Sequence, residues 1–255
     1  MSSDAPPPPD ILLDPEVLHE ADGICVWHTG LVRGPAGSVL TLVVDAPEGR
    51  IEGAEWEEFD PLGPAGMTLR GPDIPGFLVP FHDVEREARR YRATGQFGDV
   101  RVDDAHLQFW VRPLGLRLID FIGEAQTGRR LAFVVEPEVL YREQGRAVWH
   151  PGVVRGPSGL FSSLEVRAEG GAETELLGAG WQLGDRPENA PLPLRITAES
   201  GEALLDLPTT VLGSERALRA YGWLAPERSP GLRLHYEVPP LGVHVVRGIP
   251  GNACG

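Results

Sequence analysis

The chain has 255 residues and a formal net charge of −14, from 37 acidic and 23 basic side chains. An acidic excess of this size works against nucleic acid, whose binders cluster cations to displace counterions, and against an anionic membrane surface. Every basic residue is Arg and the sequence holds no Lys, which excludes Schiff-base enzymes, phosphate-loop and kinase-type lysines, and Ser-x-x-Lys acyl enzymes. The abundance of Ala, Gly, Pro and Arg reads the missing Lys as codon bias rather than as selection against lysine modification.

The first residues, Met1 to Ala5 followed by Pro6 to Pro9, carry no basic segment leading into an apolar one. They predict a disordered proline-rich tail over 1–10 and not a secretory signal. No stretch approaches the about 20 apolar residues of a spanning helix, and two cysteines, Cys25 and Cys254, make no disulfide framework. The expectation is a reduced, cytoplasmic protein.

Residues 14–37, DPEVLHEADGICVWHTGLVRGPAG, and residues 136–159, EPEVLYREQGRAVWHPGVVRGPSG, match at 14 of 24 positions without a gap. Further on, Gly53 to Trp56 parallels Gly178 to Trp181, Arg89 to Tyr91 parallels the stretch from Arg216 to Tyr221, and Pro113-Leu114-Gly115 parallels Pro240-Leu241-Gly242. The order of landmarks predicts a tandem duplication, with a first repeat over 11–126, a second over 131–248 and a flexible tail over 249–255. Two similar units of this size predict packing about a pseudo-two-fold axis.

Within each repeat the pattern is mainly β. In chain order, Gly23 to Arg33, Ser38 to Val44, Leu107 to Val111 and Leu116 to Ile122 read as strands of the first repeat. Leu131 to Val135, Arg146 to Arg155, Leu160 to Val166, Leu232 to Val238 and Val243 to Val246 read as strands of the second. The 32 Gly and 25 Pro residues punctuate these runs as turns. Many short strands so punctuated predict a β-sandwich-like unit. One short helix per repeat is expected, over Asp83 to Tyr91 behind a capping Asp and over Ser214 to Tyr221 behind a capping Ser.

The chemistry on offer is sparse. Val-Trp-His occurs in both repeats, at Trp27-His28 and Trp149-His150. Neighbours on a strand point to opposite faces, so one of each pair is expected in the core and the other outward or across the interface between the repeats. Trp is read as the core anchor and His as a half-buried strand residue. No ligand stands at metal spacing from either His, no paired cysteines occur, and neither a metal nor a cofactor is expected. The acidic residues Glu55, Glu57, Glu58 and Asp60 around Trp56 have no counterpart beside Trp181 and read as a solvated face. The loop Val-Arg-Gly-Pro-x-Gly, with Arg33 and Arg155, supplies its own turn geometry.

The residues picked out for binding are therefore Trp27, His28, Arg33, Trp56, Trp149, His150, Arg155 and Trp181. No catalytic residue is expected. The function expected is a non-catalytic interaction protein, an adaptor, scaffold or acidic inhibitor, whose partner is another protein with a basic surface. Two alternatives stand beside it. One is an enzyme with a site between the repeats, using His28 and His150 or the carboxylates near Trp56. The other is a small-ligand or carbohydrate binder using Trp56, Trp110 and Trp223.

Overall fold

The structure is a computed structural model. It describes residues 8–35, 37–51, 56, 64–71, 74–79, 81–87, 89–97, 106–122, 128–143, 145–168, 176, 181, 192–200, 203–206, 209–214, 217–224 and 231–250. Contacts divide the chain into two compact units. The N-terminal unit holds Ile11–Arg33 and Gly37–Ala132, and the C-terminal unit holds the rest, chiefly Phe133–Gly255.

In the N-terminal unit, β1 (Asp10–Leu13), β2 (Glu16–Ala21), β3 (Ile24–His28), β4 (Leu31–Gly34) and β5 (Gly37–Asp45) follow one another closely. After them come β6 (Ala65–Gly71), β7 (Ile74–Val79), β8 (Phe81–Glu87), β9 (Arg90–Phe97), β10 (His106–Val111), β11 (Leu116–Phe121) and the short β12 (Arg129–Arg130). One sheet runs β1-β4-β5-β3-β2-β12, with β9 also on β5 and β8 on β9. A second runs β11-β10-β6-β7.

The C-terminal unit contains β13 (Phe133–Val135), β14 (Glu138–Glu143), β15 (Arg146–His150), β16 (Val153–Gly156) and β17 (Gly159–Ala168). It continues with β18 (Arg195–Ser200), β19 (Ala203–Asp206), β20 (Thr209–Ser214), β21 (Ala217–Leu224), β22 (Arg233–Val238) and β23 (Val243–Gly248). Its sheets run β13-β16-β17-β15-β14, with β21 on β17 and β20 on β21, and β19-β18-β22-β23. Strand for strand this is the order of the N-terminal unit, except that nothing among the described residues stands where β12 does.

Among the described residues a hydrophobic cluster joins the two sheets of each unit. In the N-terminal unit Val26, Leu40, Leu42 and Val44 meet Met67, Leu107, Phe109 and Val111. In the C-terminal unit Val148, Leu160, Leu164 and Val166 meet Ile196, Ala198, Leu234 and Tyr236. Burying one such side chain is worth about 1.5–3 kcal/mol. These clusters explain why the apolar runs Ser38 to Val44 and Leu160 to Val166 become the long strands β5 and β17, whose middles are buried without interruption.

Two expectations are corrected. The stretches expected as helices are strands. Residues 83–87 belong to β8 and 90–91 to β9, in register with Glu85 opposite Arg92 and Glu87 opposite Arg90. Ser214 ends β20 opposite Ala217, and Leu218 to Tyr221 run inside β21, which pairs on both edges. Sheet pairing here overrides the local helical preference. The histidines, expected half-buried, are not so either. His28 and His150 are fully buried, as are Trp27 and Trp149, on inner strands β3 and β15 that pair along both edges.

Candidate functional site

The polar groups of interest form around the two histidines. In the N-terminal unit Glu16 on β2 stands directly opposite His28 on β3, and the register shifts between Val17 and His19. A bulge of this kind re-aims the side chains beside it. His28 stacks on Phe109 of β10, with ring centroids 5.7 Å apart. Its Nε2 lies 3.0 Å from Asp120 Oδ2 on β11. Gly30, at φ +84°, turns its N–H back onto His28 Nδ1 at 3.1 Å.

That backbone bond decides the tautomer. Nδ1 accepts from Gly30, so the ring proton is on Nε2 and is donated to Asp120. Glu16 is also buried, and its Oε1 accepts a hydrogen bond from Gly128 N–H, while Oε2 has no partner among the described residues. Burial first, and then the Asp120 carboxylate, push the Glu16 carboxyl above the usual carboxylate range.

Glu16, His28 and Asp120 each bring one donor atom within 4.8 Å of the others. Proximity alone resembles a cation cage, but the donor set does not fit one. A ligating histidine offers a lone pair to the metal and donates its other N–H to a neighbour. Here the Nδ1 lone pair is taken by Gly30 and the Nε2 proton is given to Asp120. Both ring nitrogens of His28 are thus already engaged.

The C-terminal unit repeats the geometry with different chemistry. Glu138 stands opposite His150, with a register shift between Val139 and Tyr141. Gly152 N–H donates to His150 Nδ1 at 3.2 Å, and His150 stacks on Tyr236 at 5.0 Å. Where Asp120 stands on β11, β23 carries Arg247, which holds Glu138 through Nε at 2.7 Å and Nη2 at 2.6 Å. This bidentate contact keeps the Glu138 carboxyl below its usual range. His150 Nε2 has no hydrogen-bond partner among the described residues and sits 3.9 Å from Glu138. Burial pushes the pKa of His150 down to about 4. Where the N-terminal unit has Leu40 and Phe109, this one has Ser162 and Tyr236, joined Oγ to OH at 2.8 Å.

Of the residues picked out from sequence, Trp27, His28, Trp56, Trp149, His150 and Trp181 are buried. Trp56 packs on Tyr91 at 5.3 Å. Arg33 and Arg155 are half-buried and each already has a partner. The carboxylates 55, 57, 58 and 60 lie outside the described residues, as does Cys254. Cys25 is a buried thiol whose pKa burial raises to about 12. Sequence reasoning missed Glu16, Asp120, Glu138 and Arg247. Glu16 and Glu138 were visible as a shared Pro-Glu-Val-Leu, but only strand pairing sets them against the histidines.

The exposed candidates lie elsewhere. On the outer face of β11, Ile119 and Phe121 are exposed by 48% and 43%. Ile119 also borders a groove of about 680 Å³, lined by Thr68, Gln108, Trp110, Arg112 and Arg117 among others.

No protein-family model matches this chain, and no curated protein matches it. Among solved structures, "The crystal structure of the conserved domain protein from Bacillus anthracis" is 11% identical over 92% of this chain and 89% of that one, with a TM-score of 0.26. A TM-score this low carries no argument about fold or function. No helix of the described residues is long and apolar enough to cross a membrane.

Proposed function

We propose that this chain is a non-catalytic interaction protein, of an adaptor, scaffold or inhibitor kind, which binds another protein through an exposed sheet face. The observation that carries this reading is the fate of the repeated Trp-His pairs. Both histidines are fully buried, and the Nδ1 of each accepts a hydrogen bond from its own strand's turn. A group so held serves the framework, while Ile119 and Phe121 present apolar area to solvent. Exposed aromatic and aliphatic side chains of this sort anchor protein interfaces.

The net charge of −14 supports a partner with a basic surface, since such a field steers association and weakens with salt. The matching strand orders of the two units support descent from one duplicated β-sandwich-like ancestor, with a first repeat ending near 126 and a second beginning near 131.

The test is affinity capture from native lysate with the wild-type chain and with Ile119→Asp/Phe121→Asp. A basic protein retained by the wild type, released by salt and not retained by the variant fits the proposal. Capture indifferent to both changes contradicts it.

A second reading rests on the groove beside Trp110. An indole flanked by Gln108 and Thr68 suits a sugar or another small polar ligand. Quenching of tryptophan fluorescence by glycans, lost in Trp110→Ala, would favour it over a protein partner.

A further inference from the structure

The outer face of the four-stranded sheet in the C-terminal unit gathers two histidines and two carboxylates. His235 and Glu237 alternate on β22, and His244 on β23 stands directly opposite Glu237. His235 Nδ1 lies 3.2 Å from His244 Nε2, with the rings stacked at 5.5 Å between centroids. His235 Nε2 lies 3.0 Å from Glu199 Oε2 on β18. Glu237 Oε1 is 3.9 Å from His244 Nε2.

We propose that His235 Nδ1 and His244 Nε2 form a two-histidine surface site for a borderline divalent cation such as Zn²⁺. The argument begins at Glu199. A carboxylate only accepts, so the His235 ring proton is on Nε2 and the Nδ1 lone pair points at His244. A carboxylate that takes one ring N–H while the other nitrogen faces a neighbouring ligand is the usual outer support of a metal-binding histidine.

The spacing agrees. Two imidazole nitrogens on one tetrahedral zinc, each at about 2.0–2.1 Å, lie about 3.3 Å apart. The observed 3.2 Å is held without metal by the His244 Nε2 proton. On binding, that proton moves to Nδ1 or to solvent and the cation takes its place. His28 cannot act in this way, because its Nδ1 lone pair already accepts the Gly30 N–H. The site is also reachable, since His244 is 56% exposed. Two imidazoles leave two tetrahedral positions open to water or to ligands from a partner.

The test is calorimetric titration of the full chain with Zn²⁺ at neutral pH, in a Cys254→Ser background that removes a competing thiol. The expected result is one saturable equivalent. His235→Gln and His244→Gln should each weaken it at least tenfold, and Glu199→Gln should weaken it about 10- to 100-fold through loss of the outer support. Asp120→Asn should bind like the parent. Absence of saturable binding in the parent overturns the proposal. So does binding that survives both histidine replacements, or binding lost in Asp120→Asn but kept in His244→Gln. Replacing the half-exposed His244 leaves the core untouched, so misfolding does not cloud that arm.

Discussion

Asp120 and Arg247 occupy the same position in the two units and carry opposite charges. Asp120 pairs across its hairpin with Leu107, and Arg247 pairs across its own with Leu234. Each reaches back to a Glu–His pair on neighbouring strands. Asp120 accepts from His28, whereas Arg247 leaves His150 alone and clamps Glu138. One geometry thus carries two electrostatic solutions.

The clamp is partly exposed, so its worth is modest despite good geometry. Arg247→Ala is expected to lower stability by about 1 kcal/mol at neutral pH and low salt, and by less at high salt. Glu138 is depressed in the folded state, so its contribution is present above the unfolded carboxylate pKa and is lost as pH falls through the folded one. The wild-type and variant curves in urea should therefore converge in acid. A gap that persists there would mean that the loss comes from packing.

His150 predicts a second pH effect, in a higher window. Its folded pKa is about 4, below the roughly 6.5 of an unfolded histidine. Between these values the unfolded chain binds a proton that the folded chain refuses. Stability is then full above about pH 6.5 and falls as pH drops towards 4, by up to about 3 kcal/mol. His150→Gln should flatten that slope. Denaturation midpoints between neutral pH and pH 5 are the measurement.

The Ser162–Tyr236 bond predicts a compensating pair. Ser162→Ala strands a buried tyrosine hydroxyl and is expected to cost about 1–3 kcal/mol. Adding Tyr236→Phe removes the stranded group and should recover part of the loss, as Phe109 manages in the other unit without such a bond. A double variant as unstable as the sum of its singles would contradict this, read from thermal or urea unfolding.

Gly152 predicts a steric effect. It lies at φ +96°, and a Cβ there would meet the Phe133 ring at 2.5 Å. Gly115 lies at φ +65° with open space around its Cβ position. Gly115→Ala should cost only the left-handed penalty of about 1–2 kcal/mol. Gly152→Ala should cost more, and should also disturb the N–H that orients His150. Equal losses in the two variants would count against the crowding at Gly152.

The sequence carried most of the strands and little of the site. The long apolar runs at 38–44 and 160–166 are buried on both faces and read directly as strands. Residues 83–91 misled because Asp83, with acidic residues just after it, reads as a capped first helical turn, while the strand that pairs with 81–87, β9, lies further along the chain. The polar network was hidden for the same reason. Glu16, His28 and Asp120 are brought together only by strand pairing and by two sheets closing on one core, and no local spacing announces it. The His235–His244 pair lay in two recognised strands, but its meaning depends on cross-strand register.

The central claim is that this chain works through its surface while His28 and His150 hold its framework. The most direct test is to replace both with Gln and to measure partner capture per folded molecule alongside unfolding. The expected result is a clear loss of stability with capture retained. Unchanged stability with capture lost would contradict it.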